Sequence, residues 1–154
     1  MADESSTLLP QYLSKAQLTF ISQKTDPQFV KQRPGPGGTR LSYVEVGYVI
    51  NILNQAFGWD WDFRIIEQQI GKRQVWVRGE LTVRLKEHTV IKAQYGGADI
   101  KVNRSTGDPV SIADDLKAAS SDCLKKCASL LGIASDLYWK DLDNWENDSD
   151  DYRS

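Results

Sequence analysis

The chain of 154 residues is 40% hydrophobic and 26% charged, with a formal net charge of −2, the profile of one ordinary globular domain large enough for a real core. No apolar run reaches the ~20 residues of a membrane-spanning helix, and the acidic, polar start Met1-Ala2-Asp3-Glu4 is no signal peptide; an intracellular, cytoplasmic protein without a membrane partner is the expectation. Charge is uneven, because residues 140–154 hold Asp141, Asp143, Glu146, Asp148, Asp150 and Asp151 against Lys140 and Arg153, leaving a mildly basic body with an acidic tail.

Residues 1–7 are polar and predicted to be disordered. Leu9, Tyr12, Leu13, Ala16, Phe20 and Ile21 recur near helical spacing and predict a helix from about Gln11 to Ser22, within an N-terminal segment 1–25. After Asp26-Pro27, Phe29 to Arg33 reads as a short strand, and Arg33-Pro34-Gly35-Pro36-Gly37-Gly38-Thr39-Arg40 as a loop. The loop lacks the Gly-Lys-Ser/Thr ending of a phosphate-binding P-loop, so nucleotide hydrolysis is not implied. Val46, Val49, Ile50, Leu53 and Phe57 form one face of a second helix, which opens at Tyr43 and ends on Gly58.

Trp59 to Ile65 alternates with a period of two and predicts a strand. A Gly71-Lys72 turn leads into Val75 to Leu85, with Val75, Val77, Leu81, Val83 and Leu85 inward and Trp76, Arg78, Glu80, Thr82 and Arg84 outward. Glu87-His88 turns the chain into a third strand, Thr89 to about Ala98, with a weakening or bulge expected at Gly96-Gly97. Arg64, Lys72, Arg73, Arg78, Arg84, Lys86 and Lys92 predict a basic outer face, compatible with nucleic-acid backbone binding. A polar loop from Asp99 to Pro109 carries Lys101 and Arg104.

The clearest helix spans 111–132. Ser111 followed by Asp114 has the form of a capping box, Asp114 and Asp115 suit the positive end of the helix dipole, and Gly132 suits a left-handed cap. Ile112, Leu116, Ala119, Cys123, Cys127 and Leu130 form the predicted buried stripe, with Lys117, Lys125 and Lys126 off it. Lys126 stands closer to the stripe, so its stem is expected to cross apolar surface, while Lys125 points outward. Cys123 and Cys127 lack the further ligands of a zinc site and are read as two buried thiols. The fold class is therefore α+β: an N-terminal helix, a short strand, a second helix, a three-stranded antiparallel meander, and a long helix on one sheet face.

The order of these elements and three stretches resemble the annealing domain of the Rad-fifty-two type DNA double-strand-break repair family, in what looks like a bacterial or phage branch. The stretches are Phe29 to Tyr43, Tyr43 to Trp59, and Asp122-Cys123-Leu124-Lys125-Lys126-Cys127-Ala128 with Leu131-Gly132; together the resemblance covers about residues 26–140. It implies a β-β-β-α core assembled into a closed ring, a homo-oligomer holding single-stranded DNA in a basic groove with bases turned outward. The implied activity is ATP-independent annealing without a cofactor, in recombination and repair at the nucleoid, and not enzyme catalysis. By resemblance Arg33, Tyr43, Lys125 and Lys126 match groove positions; Lys117, Lys72 and Lys140 match further basic positions less closely. One departure is plain: a third basic position on the long helix is Ser129 here, with Lys101 and Arg104 as candidate helpers.

Three other readings compete. Asp114 and Asp115, with Asp99 or Glu80, could hold Mg²⁺ for a nuclease, although acids at a helix start are more simply capping and dipole residues. A protector of single-stranded DNA ends without annealing fits the sequence equally well. A structural scaffold without nucleic acid is the third. The tail 141–154 is expected to hang free, competing with DNA phosphates or docking a recombinase, an exonuclease or a single-strand-binding protein.

Overall fold

The computed structural model describes residues 12–139; Lys140 and the acidic tail lie outside the described residues, as does the start of the first predicted helix. That helix, α1, is Lys15–Ser22. It starts later than the periodicity suggested because Ser14 and Gln17 close a reciprocal capping box, Gln17 N–H to Ser14 Oγ at 3.1 Å and Ser14 N–H to Gln17 Oε1 at 2.9 Å. After a single tight turn at Pro27–Phe29 come β1, Lys31–Pro34, and β2, Arg40–Tyr43, paired antiparallel from Lys31↔Tyr43 to Pro34↔Arg40. The predicted connector is thus the tip of a hairpin. Gly37, at φ 64°, reverses the chain, and the Gly35 N–H donates to the Thr39 carbonyl at 2.7 Å. Tyr43 ends a strand rather than opening α2, which is Val46–Phe57.

The central sheet is β3 (Trp61–Ile70), β4 (Gln74–Leu85) and β5 (His88–Asp99), antiparallel in the order β3-β4-β5. β4 alternates as predicted: Val75, Val77, Leu81 and Val83 are buried beneath α3, Ile112–Ser129, and every second residue between them is partly exposed. α3 lies over β4 and β5. It can do so because the strands carry glycine under it: a Cβ on Gly96 would stand 2.3 Å from Cys123 N and 2.4 Å from Ala119 O. The pair Gly96-Gly97 is consequently not a bulge. Both residues stay in register opposite Val77 and Trp76, and the irregularity falls in β3 between Ile65 and Glu67.

The outer sheet face is not the basic surface that composition suggested. Cross-strand register sets Arg64 opposite Glu80 and Arg78 opposite Glu67, with Arg78 Nε 3.6 Å from Glu67 Oε2. Arg84 bridges Asp62 and Asp60, the latter at 3.1 Å, so Arg78 and Arg84 each meet a carboxylate. Lys92 pairs with Leu81 and belongs to the helix-side face, while Lys72, Arg73 and Lys86 sit in or beside the turns.

α3 ends as predicted in a Schellman motif around Gly132 (φ 113°), with Ile133 N–H to Ala128 O at 3.2 Å and Gly132 N–H to Ser129 O at 3.0 Å. Its buried side is Asp115, Ala119, Cys123, Leu124, Cys127, Ala128 and Ser129. Leu130, expected inside, is 40% exposed because the chain leaves the helix there. The two thiols are buried, Cys123 Sγ against the Gln94 carbonyl at 3.2 Å. A short α4, Ser135–Tyr138, brings the chain back across α3 to β2. Asp136 fastens it to the N-terminal segment by accepting from Thr25 Oγ1 at 2.7 Å. No described helix is long and apolar enough to cross a membrane.

Candidate functional site

A groove of about 1270 Å³ runs between the β1–β2 hairpin, the C-terminal end of β5, α3 and α4. Arg33 on β1, Tyr43 at the end of β2 and Lys125 and Lys126 on α3 all line it, joined by Lys101 from the loop after β5. These bases are distant in sequence; the hairpin, the sheet edge and the helix bring them together.

The two lysines are held differently from expectation. Both are half-buried, and Lys125 does not point outward. Its Nζ donates to the Val44 carbonyl at 3.1 Å and stands 5.4 Å from the centre of the Tyr43 ring. Lys125 thus ties α3 to the residue that follows the hairpin. Lys126 Nζ sits 4.0 Å over the ring of Tyr138 on α4. Burial lowers the pKa of both ammonium groups, Asp122 acting against the shift. Burial likewise raises the Tyr138 phenol.

Other predicted residues fall elsewhere. Lys72 and Arg104 are exposed in loops that do not line the groove, and Lys117 is exposed on α3, its Nζ 3.9 Å from Asp114 Oδ1. Ser129, where the resemblance implies a third base, is buried; it accepts from the Trp139 indole N–H at 3.0 Å and donates to the Lys126 carbonyl at 2.6 Å. Sequence reasoning missed Tyr138 and Trp139 as groove walls. The adjacent aromatics Tyr138-Trp139 shortly after a helix cap were the available signal.

The groove is also not uniformly basic. Asp99, Asp114, Asp115 and Asp122 line its other part. Asp122 is structural, accepting from the Gly97 N–H at 3.1 Å. Asp114 and Asp115 follow the expected cap, Asp114 N–H to Ser111 Oγ at 3.2 Å, but Asp114 is exposed and Asp115 buried. Among the described residues no three His, Cys, Asp or Glu side chains converge in a way that could hold a metal ion.

A family model described as Rad52/22 family double-strand break repair protein matches residues 14–153. The DNA repair and recombination protein RAD52 of Candida glabrata is 26% identical over 122 residues, 74% of this chain and 24% of its own. Its namesake in Saccharomyces cerevisiae is 26% identical over 134 residues, 80% of this chain and 28% of its own. That of Kluyveromyces lactis is 25% identical over 134 residues, again 80% of this chain and 30% of its own. The chain therefore spans less than a third of the length of these relatives.

Proposed function

Because the chain belongs to the Rad52/22 family of double-strand break repair proteins, we propose that it binds single-stranded DNA in the groove and anneals complementary strands without ATP. The observation that carries this reading is the meeting of Arg33, Tyr43, Lys125 and Lys126 on one concave surface. Point charges on a rigid helix and hairpin can hold phosphates while base edges stay open for pairing. Lysines that donate to a carbonyl and cap an aromatic ring are pre-positioned, so less side-chain freedom is lost when a strand arrives. We assign this work to residues 26–140, Lys140 included, and leave 141–154 as a docking or competing segment.

We infer further that the chain assembles into a closed ring. What supports this is the unpaired edge of β3, where Ile65, Ile66 and Ile70 are 39%, 41% and 53% exposed and α3 does not cover them. A bare apolar strand edge is an aggregation hazard unless another surface meets it, and repeated head-to-tail contacts close when the rotation allows. Annealing of complementary labelled oligonucleotides, measured without ATP and without divalent metal, tests the activity; a strict need for ATP overturns it. Light scattering tests the assembly, and a monomer at micromolar concentration counts against the ring.

A further inference from the structure

Along α3 the groove-facing side chains change sign. Asp115, Asp122 and Lys126 are spaced by seven and four residues and so share a face, carboxylates toward the N-terminal end and ammonium groups toward the C-terminal end. At 1.5 Å per residue, Asp115 stands about 16 Å along the axis from Lys126. Exposed Asp99 and Asp114 line the groove as well, Asp114 with Lys117 Nζ 3.9 Å from its Oδ1 and Asp99 two residues from Lys101. Asp115 itself is 3% exposed, and its Oδ2 has no hydrogen-bond partner among the described residues. Attraction to the helix dipole explains an acid in the first turn, and exposed Asp114 already supplies one. It does not explain burying a second carboxylate with an oxygen unsatisfied, which is unfavourable for folding.

We propose that the Asp115 end of the groove is a specificity element that turns away a second phosphate backbone, so that the groove takes a single strand and lets duplex go. This rests on the reading of the groove as a single-strand site. In B-form DNA the two phosphate rows face each other across grooves about 6 Å and 12 Å wide. With one row on Arg33, Lys125 and Lys126, a second row about 6–12 Å further along α3 would stand within the ~16 Å that separates Lys126 from Asp115. Fixed carboxylates there repel it, and like charges set against each other in a partly desolvated site discriminate strongly. A lone strand avoids the conflict because its second edge is uncharged base. The consequence suits annealing: the product is duplex, and a groove that held duplex as well as single strands would stay occupied by it.

The test is the ratio of duplex to single-strand affinity, by fluorescence anisotropy with one labelled oligonucleotide, alone and paired, at fixed salt. Asp114→Asn with Asp115→Asn preserves shape and removes both charges. Duplex affinity is expected to rise about tenfold, a change of about 1.4 kcal/mol, while single-strand affinity rises about twofold, and annealing slows as product accumulates. Asp108→Asn removes the same unit charge from the β5–α3 loop outside the groove and is expected to leave the ratio unchanged. Asp114→Asn alone, at an exposed position, carries the test if the buried substitution unfolds the chain, with an expected rise of about threefold in the ratio. Equal rises for both forms, or no change, overturn the proposal. Wild-type protein that binds neither form overturns the single-strand reading itself.

Discussion

Replacing Lys125 and Lys126, singly and together, separates what the lysines do for the fold from what they do for DNA. Lys125 donates a charge-assisted hydrogen bond to the carbonyl of fully buried Val44, a bond worth about 1.5–3 kcal/mol when half-buried. Lys125→Ala should therefore lower stability by about 2 kcal/mol, or roughly 4–8 °C in Tm for a chain of this size. Lys126→Ala loses a cation–π contact with Tyr138, about 0.5–2 kcal/mol. Lys125→Gln keeps a donor for Val44 without the charge and should melt close to wild type. If each ammonium meets one phosphate, each loss flattens the dependence of log affinity on log salt by about 0.7, and the double variant by about 1.4. Affinity titrated across salt concentrations, beside thermal melts and light scattering, reads all three quantities. A folded, fully assembled double variant with the wild-type salt slope and annealing rate refutes the reasoning, and α3 is then a core helix and nothing more.

Burial depresses both ammonium groups below the ordinary lysine value of 10.5. DNA affinity should accordingly fall on the alkaline side before ordinary lysines titrate, and Lys125→Arg with Lys126→Arg should extend binding to higher pH. Folding stability moves the other way, because the folded state holds these protons more weakly than the unfolded chain; it rises as pH climbs through the lowered values. Gly96→Ala would force α3 off β5, given the 2.3 Å approach to Cys123 N; a loss of about 3 kcal/mol by denaturant titration is expected, with groove affinity falling alongside. Ile70→Glu on the exposed edge of β3 should shift the protein to smaller species in light scattering without lowering Tm. Removing residues 141–154, which hold six acids, should tighten DNA binding modestly at low salt; unchanged or weaker binding favours a docking role for that segment.

The parts of the fold legible in the sequence are those written in local periodicity. β4 alternates over its whole length, and α3 carries its own cap, stripe and terminal glycine, so both follow from spacing alone. What escaped was set by partners distant along the chain. β2 is four residues long and has a strand's shape only because β1 lies beside it. Gly96-Gly97 has the local form of a bulge, yet the glycines serve the approach of a helix 25 residues further on. The outer face looked basic because the arginines could be counted, whereas the carboxylates opposite them are known only from register. In the groove, Arg33, Tyr43, Lys125 and Lys126 were legible by resemblance; that Lys125 turns inward was not, since the Val44 carbonyl it meets is 81 residues away.

Ser129 stands where the resemblance implies a third base, and its neighbours leave no room for one. A long basic side chain there would need room, but the position is 3% exposed and closed over by Trp139, whose indole N–H the serine hydroxyl accepts. The same hydroxyl donates to the Lys126 carbonyl, so the serine ties the aromatic wall to the turn of helix that presents Lys126. Tyr138, the residue before that wall, supplies the ring beneath the Lys126 ammonium. A groove built this way has fewer cations than three bases on the helix would give, and holds them more rigidly. Among the described residues, Arg33 on β1 and Lys101 from the loop after β5 are the other bases that line it.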